Sequence, residues 1–402
     1  MADSKDHFIG VDLGGTKILA GVFDNSLELI GTAKVSTKPE RGAAAVIERI
    51  DRCVRDVVDE CDLNLKQIKG IGIGAPGAVD PESGKVLRAV NLGWEDVPLV
   101  KELQKKLDLP VFLSNDCSIC TLGVYERELK SKPRTVVGIF LGTGIGGGVI
   151  INGALFDGFN HMAGEIGHMV IDVNGPKCSC GNKGCFETFA SRSAIFRKIQ
   201  AAIKDGQKTQ LTEMLGDDLK DLRSGDLRKA IKRGDKFVEK IVEEAADYTG
   251  IAVANLINIL NPEVVVLGGG VIEALENEMM PIIIKRAKES VLLGKLMGLE
   301  ILASKLGDNA GITGGAVLAR RQRRHNLLRH RAAAAEQHDA AGAAAQQPQR
   351  ELRADVARAA DDEVHAVGGR GWGGAGRRQR RQQRGAHEAR REAHAAGASA
   401  AV

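Results

Sequence analysis

The sequence predicts an α/β fold. Short apolar runs that end in glycine pairs or clusters read as buried strands. Segments with apolar residues every three or four positions read as helices, and the two kinds alternate along the chain. Residues 8–13 and 18–23, parted by Gly14-Gly15, form a predicted β-hairpin. Val46, Ile47, Ile50, Cys53, Val54 and Val57 share one helical face, which predicts a helix over 43–58. Residues 68–74 form a buried strand closed by Ala75-Pro76-Gly77. A helix follows over 99–107, then a strand over 111–113 that runs into Asn115-Asp116 and a helix over 118–129. The strand at 136–141 feeds a glycine cluster, Gly142 to Gly148, and β character resumes at 149–151. A long apolar stripe predicts a helix over 236–260, stopped by Pro262. A strand over 264–267 then ends in Gly268-Gly269-Gly270. No short-period repeat is visible.

Charge divides the chain unevenly. From Arg321 onward there are sixteen Arg, no Lys and nine acidic residues, a balance of +7 within a whole-chain net charge of +4, which leaves the body near −3. The basic pI therefore does not argue for nucleic-acid binding by the body. The stretch 321–402 is rich in Ala, Arg, Gly and Gln. It reads as a low-complexity tail, with a marginal helix over 332–358 and disorder over 368–385. Its abrupt loss of Lys suggests translation of a GC-rich stretch in a shifted frame. Seven cysteines, three of them between 178 and 185, suit a reducing compartment and a metal site rather than a disulfide framework. The polar N-terminus shows no signal peptide, and no run of eighteen apolar residues exists. The expected location is cytoplasmic, with no membrane partner.

Four motifs carry chemistry. Asp12-Leu-Gly14-Gly15-Thr16-Lys17 closes a strand, and its glycines let backbone N–H groups approach phosphate oxygens. Asp12 is a candidate Mg²⁺ ligand, and a plain tight turn is the competing reading. Lys17 is not a Walker lysine, because the spacing is absent. Gly142-Thr143-Gly144 and Gly268-Gly269-Gly270 end two further strands. Each alone reads as a turn, but three such exits suggest a nucleotide cradled between two lobes. Asp116 reads as a helix N-cap or as a general base, and spacing alone favours the cap. The most specific signal is His168 with Cys178, Cys180 and Cys185, which matches a closed, structural Cys₃His zinc site. Cys117 and Cys120 read as core thiols.

Together these motifs resemble the ROK family (repressor, open reading frame, kinase) of the sugar kinase and actin superfamily. The resemblance covers about 8–320 and rests on the D-L-G-G-T-K opening, the G-A-P-G turn, the N-D pair, the Gly-rich signature from Gly138 to His168 and the C-x-C-x4-C segment. Asn91-Leu-Gly-Trp94 further resembles the glucokinase branch. Ser118 and Gly123-Val124 depart from the family's usual Asn and Gly-Glu.

The resemblance implies a two-lobed actin-like ATPase (ribonuclease H-like) fold with a cleft between lobes. The small lobe would be 1–118, completed by 305–320, and the large lobe 119–304, with a zinc loop over 168–185. It also implies an ATP-dependent kinase acting on a hexose, most simply glucose at O6, with Asp116 as catalytic base. The implied sugar ligands are Gly77, Asn115, Asp116, Glu165, His168 and Glu187. ATP with Mg²⁺ would meet Asp12, Gly14, Gly15, Thr16, Lys17, Thr143, Gly144, Gly269 and Gly270. His168 would then serve zinc through one ring nitrogen and sugar through the other. Kinases of fructose, N-acetylmannosamine or N-acetylglucosamine would share this ligand set. The rival class, a sugar-sensing repressor, carries a helix-turn-helix that the seven residues before Phe8 cannot supply. A homodimer or homotetramer is implied, with no specific nucleic-acid partner.

Overall fold

The computed structural model describes residues 6–216, 219–220, 222–292 and 298–329. In chain order the elements are β1 (His7–Leu13), β2 (Lys17–Phe23), β3 (Leu29–Ser36), α1 (Gly42–Glu60), β4 (Ile68–Ala75), β5 (Ala78–Asp80), β6 (Lys85–Ala89), β7 (Trp94–Val97), α2 (Leu99–Leu107), β8 (Val111–Asn115) and α3 (Asp116–Arg127). They continue with β9 (Thr135–Leu141), β10 (Ile145–Ile151), β11 (Ala154–Leu155), α4 (Glu187–Ala190), α5 (Arg192–Lys204), α6 (Gln210–Leu215), α7 (Ser224–Lys232) and α8 (Lys236–Leu260). Last come β12 (Val264–Gly268), α9 (Gly270–Ser290), β13 (Glu300–Ala303) and α10 (309–329).

Two five-stranded sheets share one topology. The first runs β3-β2-β1-β4-β8 and the second β11-β10-β9-β12-β13. In each, an antiparallel three-strand meander leads into two parallel strands. The fold is thus internally duplicated at the level of strands, although no repeat is legible in the residues. A smaller sheet, β5-β6-β7, is hydrogen-bonded to neither, and its Val79, Val86 and Trp94 pack into the core of the first sheet.

Side chains alternate across each strand with period two. On β1, Ile9, Val11 and Leu13 face one way and pack on Val46, Ile50 and Val54 of α1. Val137, Ile139 and Leu141 of β9 likewise pack on α8 and α9. The opposite faces meet α3 and α10. There Phe8, Phe23, Leu122, Tyr125, Val136, Phe140, Ile312 and Val317 join in a third core that draws on both sheets.

That third core depends on missing side chains. A Cβ on Gly10 would lie 1.6 Å from Ile312 O, one on Gly72 1.9 Å from Gly315 O, and one on Gly314 1.7 Å from Ile119 O. The same constraint corrects the reading of Gly142 to Gly148 as one loop. Only 142–144 turn; Gly146, Gly147 and Gly148 belong to β10. A Cβ at 146 would strike Cys117 and one at 148 Thr121, so these glycines let α3 lie flat on the strand.

The final helix runs past its expected end at Arg320. Arg321 donates to Glu126 at 3.1 Å with its guanidinium 5.7 Å from the Tyr125 ring centroid, and Arg323 pairs with Asp6 at 2.8 Å. The chain divides into one unit, Met1–Leu327, and a second, Leu328–Val402. The predicted helix at 332–358 and disorder at 368–385 lie outside the described residues. Among the described residues no helix is long and apolar enough to cross a membrane.

The glycine crossing gives a direct test. Gly10→Ala forces backbone apart and should cost about 3 kcal/mol or more. Gly225→Ala meets open space in α7 and should be neutral or stabilising by a few tenths of a kcal/mol. Urea unfolding midpoints of the two variants check both expectations.

Candidate active site

The strand ends place the chemistry. Asp12 closes β1 on the face that meets α10, where a Cβ on Gly311 would come 2.9 Å from its Cγ. Asn115 ends β8 and caps α3: its Oδ1 accepts from the N–H groups of Cys117 (2.9 Å) and Ser118 (3.1 Å). This corrects the cap assignment, which spacing gave to Asp116. Asp116 is instead the first helical residue, and its Oδ1 accepts from Cys117 N–H at 2.9 Å. Asn115 Nδ2 also donates to Gly77 O at 3.2 Å, across the parallel strands β4 and β8. Gly77 holds φ +82°, and a Cβ there would strike Arg88 O, so the turn requires glycine.

Both carboxyls are raised. Burial, first, and then the negative charge of Asp116 push Asp12 up to about 7. Burial pushes Asp116 up to about 6. The Cys117 N–H opposes this, and Glu165 adds to it. Each keeps some solvent access despite close packing around it. Asp12, Asp116 and Glu165 thus form one acidic wall.

From that wall the contacts run to the cysteine cluster. Glu165 Oε2 lies 3.9 Å from His168 Nε2. His168 Nδ1 lies 3.6 Å from Cys178 Sγ, and Cys180 and Cys185 Sγ are 3.7 Å apart. Ligand atoms of all four residues lie within 4.8 Å of one another. Around a tetrahedral Zn²⁺, bond lengths near 2.3 and 2.05 Å would put S···S at about 3.8 Å and N···S at about 3.6 Å. Those two separations fit a Cys₃His donor set using Nδ1. Nε2 then remains directed toward Glu165.

Glu187 links this cluster to the glycine turn. Its Oε2 accepts from Ile145 N–H at 2.9 Å, while Oε1 lies 4.0 Å from Cys178 Sγ. A Cβ on Gly144 would meet Glu187 Oε2 at 2.2 Å. Gly269, at φ +86°, abuts the backbone of Leu141, so the exits of β9 and β12 lie side by side. Lys17 pairs with Asp308, and both lie in the electrostatic surroundings of Glu273 on α9. The three glycine-rich exits therefore converge. The segment 156–163 reaches back toward β5, with His161 Nε2 3.9 Å from Asp80 Oδ1. A cavity of about 950 Å³ lined by Phe189, Arg197, Lys240 and Tyr248 is separate and contains none of the acidic wall.

The ROK family profile matches residues 8–322. The chain belongs to the ROK family. It is 35% identical to a glucokinase of Halalkalibacterium halodurans over 319 residues, covering 79% of this chain and 96% of that protein. It is 32% identical to a xylose repressor of Caldicellulosiruptor bescii, covering 76% of each. Among solved structures it is similar to a ROK family glucokinase from Streptomyces griseus in complex with glucose and AMPPNP. That match has TM-score 0.70 and 32% identity, and covers 78% of this chain and 99% of the other. The paired sheets are the actin-like, two-lobed ATPase fold of ROK sugar kinases.

Sequence reasoning missed Glu273 and Asp308. Neither sits in a motif: one lies in the first turn of α9 and the other just before α10. The backbone link from Glu187 to Ile145 also left no signal, because the partner is a main-chain N–H.

The raised carboxyl has a thermodynamic consequence in this ROK chain. Asp116 binds its proton more tightly folded than unfolded, so its contribution to stability falls as pH rises from about 4 through about 6. At pH 8 the buried charge is a net cost. Asp116→Asn keeps the acceptor for Cys117 N–H and should raise stability by about 1–3 kcal/mol at pH 8 and by little at pH 4. Thermal melts of both proteins at the two pH values would test this.

Proposed function

We propose that this protein transfers the γ-phosphoryl group of ATP to a hydroxyl of a hexose, with glucose at O6 as the first candidate. The observation that carries the reading is the convergence of Asp116 with Glu165, His168 and Asn115 on one side and the glycine exits on the other. The Streptomyces griseus relative, crystallised with glucose and an ATP analogue, supports both substrate classes.

Asp116 orients the acceptor hydroxyl and takes its proton. The freed oxygen forms a bond to the γ-phosphorus as the bridging bond to the β-phosphate breaks, and ADP leaves. A base raised to about 6 is ionised at neutral pH yet basic enough to accept the proton. Gly77, Asn115, Glu165, His168 and Glu187 hold the remaining sugar hydroxyls. Main-chain N–H groups around Gly14, Gly15, Thr16, Thr143, Gly144, Gly269 and Gly270 receive the phosphates, so positioning and electrostatics do most of the work. Asp12, with Asp116 beside it, would hold Mg²⁺, which neutralises phosphate charge. His168, Cys178, Cys180 and Cys185 would hold a structural zinc. That loop fixes the His168 ring so that Nε2 faces the sugar.

A second reading is regulatory, since a xylose repressor is among the relatives. A coupled ADP-release assay over glucose, fructose, mannose, N-acetylmannosamine and N-acetylglucosamine separates the two. Absence of sugar-dependent ADP release would reject the kinase. Asp116→Asn should lower kcat by at least about 10²-fold. In the wild type kcat/KM should fall as pH drops below about 6, because the base protonates. Cys180→Ala should lose bound zinc by elemental analysis and raise KM for the sugar. A wild type purified without metal under zinc-replete conditions would remove zinc from this picture.

A further inference from the structure

The turn at 142–144 carries a cation that the motifs do not account for. α5 opens at Arg192, and the residue is held to the turn at two points. Its backbone N–H donates to Gly142 O at 2.9 Å, and its guanidinium Nη2 donates to Thr143 Oγ1 at 2.5 Å. The next residue, Ser193, approaches Thr143 O with its N–H at 3.4 Å. Arg192 is therefore not a surface side chain that happens to lie near the loop. Its backbone and its head group both register on the same three-residue turn.

The partner it has is chemically incomplete. Thr143 Oγ1 is a neutral acceptor, whereas a guanidinium carries five donors in a planar fork and a full charge. Among the described residues no carboxylate pairs with Arg192. Lys17, the other cation at a glycine turn, is already paired with Asp308. Around them the cleft holds Asp12, Asp116, Glu165, Glu187, Glu273 and Asp308, a field that repels a nucleotide polyphosphate. Thr143 is exposed and Arg192 half-buried, so a phosphate lying on the turn meets both.

We propose that Arg192 is a catalytic, nucleotide-binding residue that places its fork on the terminal phosphates of the donor bound at the 142–144 turn. The Thr143 hydroxyl parks the guanidinium there and shares it with phosphate oxygens when ATP is bound. Charge that spreads over the transferring group then meets a fixed cation from α5, held on the β9–β10 turn, while Asp116 acts from the start of α3. This inference rests on the reading of the chain as an ATP-dependent kinase.

The test uses the full-length chain and Arg192→Ala, Arg192→Lys and Thr143→Val. Steady-state kinetics are run with the best hexose found for the wild type, and ATP, ADP and AMP affinities are measured by calorimetry. Arg192→Ala should lower kcat/KM for ATP roughly 10²-fold, with KM for the sugar little changed. It should weaken ATP and ADP but not AMP. Arg192→Lys should recover part of the loss, since it restores the charge without the fork. Three results would overturn the assignment. One is equal weakening of all three nucleotides with a lowered melting temperature, the mark of a prop for the loop. Another is a Thr143→Val variant as impaired as Arg192→Ala in every measure. The third is kcat/KM for ATP in Arg192→Ala within about threefold of an active wild type, which would remove Arg192 and leave the kinase standing. A wild type with no sugar-dependent ADP release overturns both readings.

Discussion

The site exists because two helices approach two sheets at backbone distance. α10 lies on Gly10 and Gly72 of the first sheet, and α3 lies on Gly138, Gly146 and Gly148 of the second. Where the helices cross each other, Gly123 and Gly314 face Ala310 O and Ile119 O. Each glycine leaves out a Cβ that would meet the facing layer at 1.6–2.5 Å, well inside van der Waals contact. The result is one shared core beneath both sheets, while parallel pairing with β4 sets the C-terminal ends of β1 and β8 on either side of it. Asp116 is close enough to raise Asp12, and both are packed tightly enough to be pushed toward neutrality.

The electrostatics of the cleft follow from that compression. Carboxylates come from β1, from α3, from the segment before His168, from α4, from α9 and from the residue ahead of α10. Such a wall is electrostatically unfavourable, because like charges crowd a site with little solvent. It is the usual trade between stability and activity, seen here as raised carboxyl groups rather than as strained backbone. The cations that offset it, Lys17 and Arg192, sit at the two hairpin turns, β1–β2 and β9–β10, which the duplicated topology makes equivalent. Duplication therefore supplies a matched pair of glycine-rich turns, and Glu187 ties the second of them to the cysteine cluster.

Much of the framework was legible. The first hairpin, α1, α2, α8 and the parallel strands other than β13 announced themselves, because a buried strand or helix face needs an unbroken apolar pattern. Less was legible from 190 to 232 and from 270 to 303, where α9 carries Pro281 within it and its apolar spacing is blurred. The small sheet β5–β7 was missed because its strands are only three to five residues long. The end of α10 was misplaced because composition changes at 321 while the ion pairs of Arg321 and Arg323 continue.

By itself the sequence determined which residue types were available and where chain reversals fall. Cysteine spacing, glycine pairs and an Asn-Asp dipeptide are local facts, and local spacing is enough to nominate a metal loop or a phosphate turn. Tertiary structure alone decided which nominations meet. Asn115 rather than Asp116 caps the helix because strand β8 delivers it in extended conformation, leaving Asp116 free for the cleft. The pairing of Arg192 with Thr143, and of Glu187 with a main-chain N–H forty-two positions away, depends on how helices seat against a sheet edge. No linear pattern encodes such contacts, because they are set by the packing of layers and not by the order of residues.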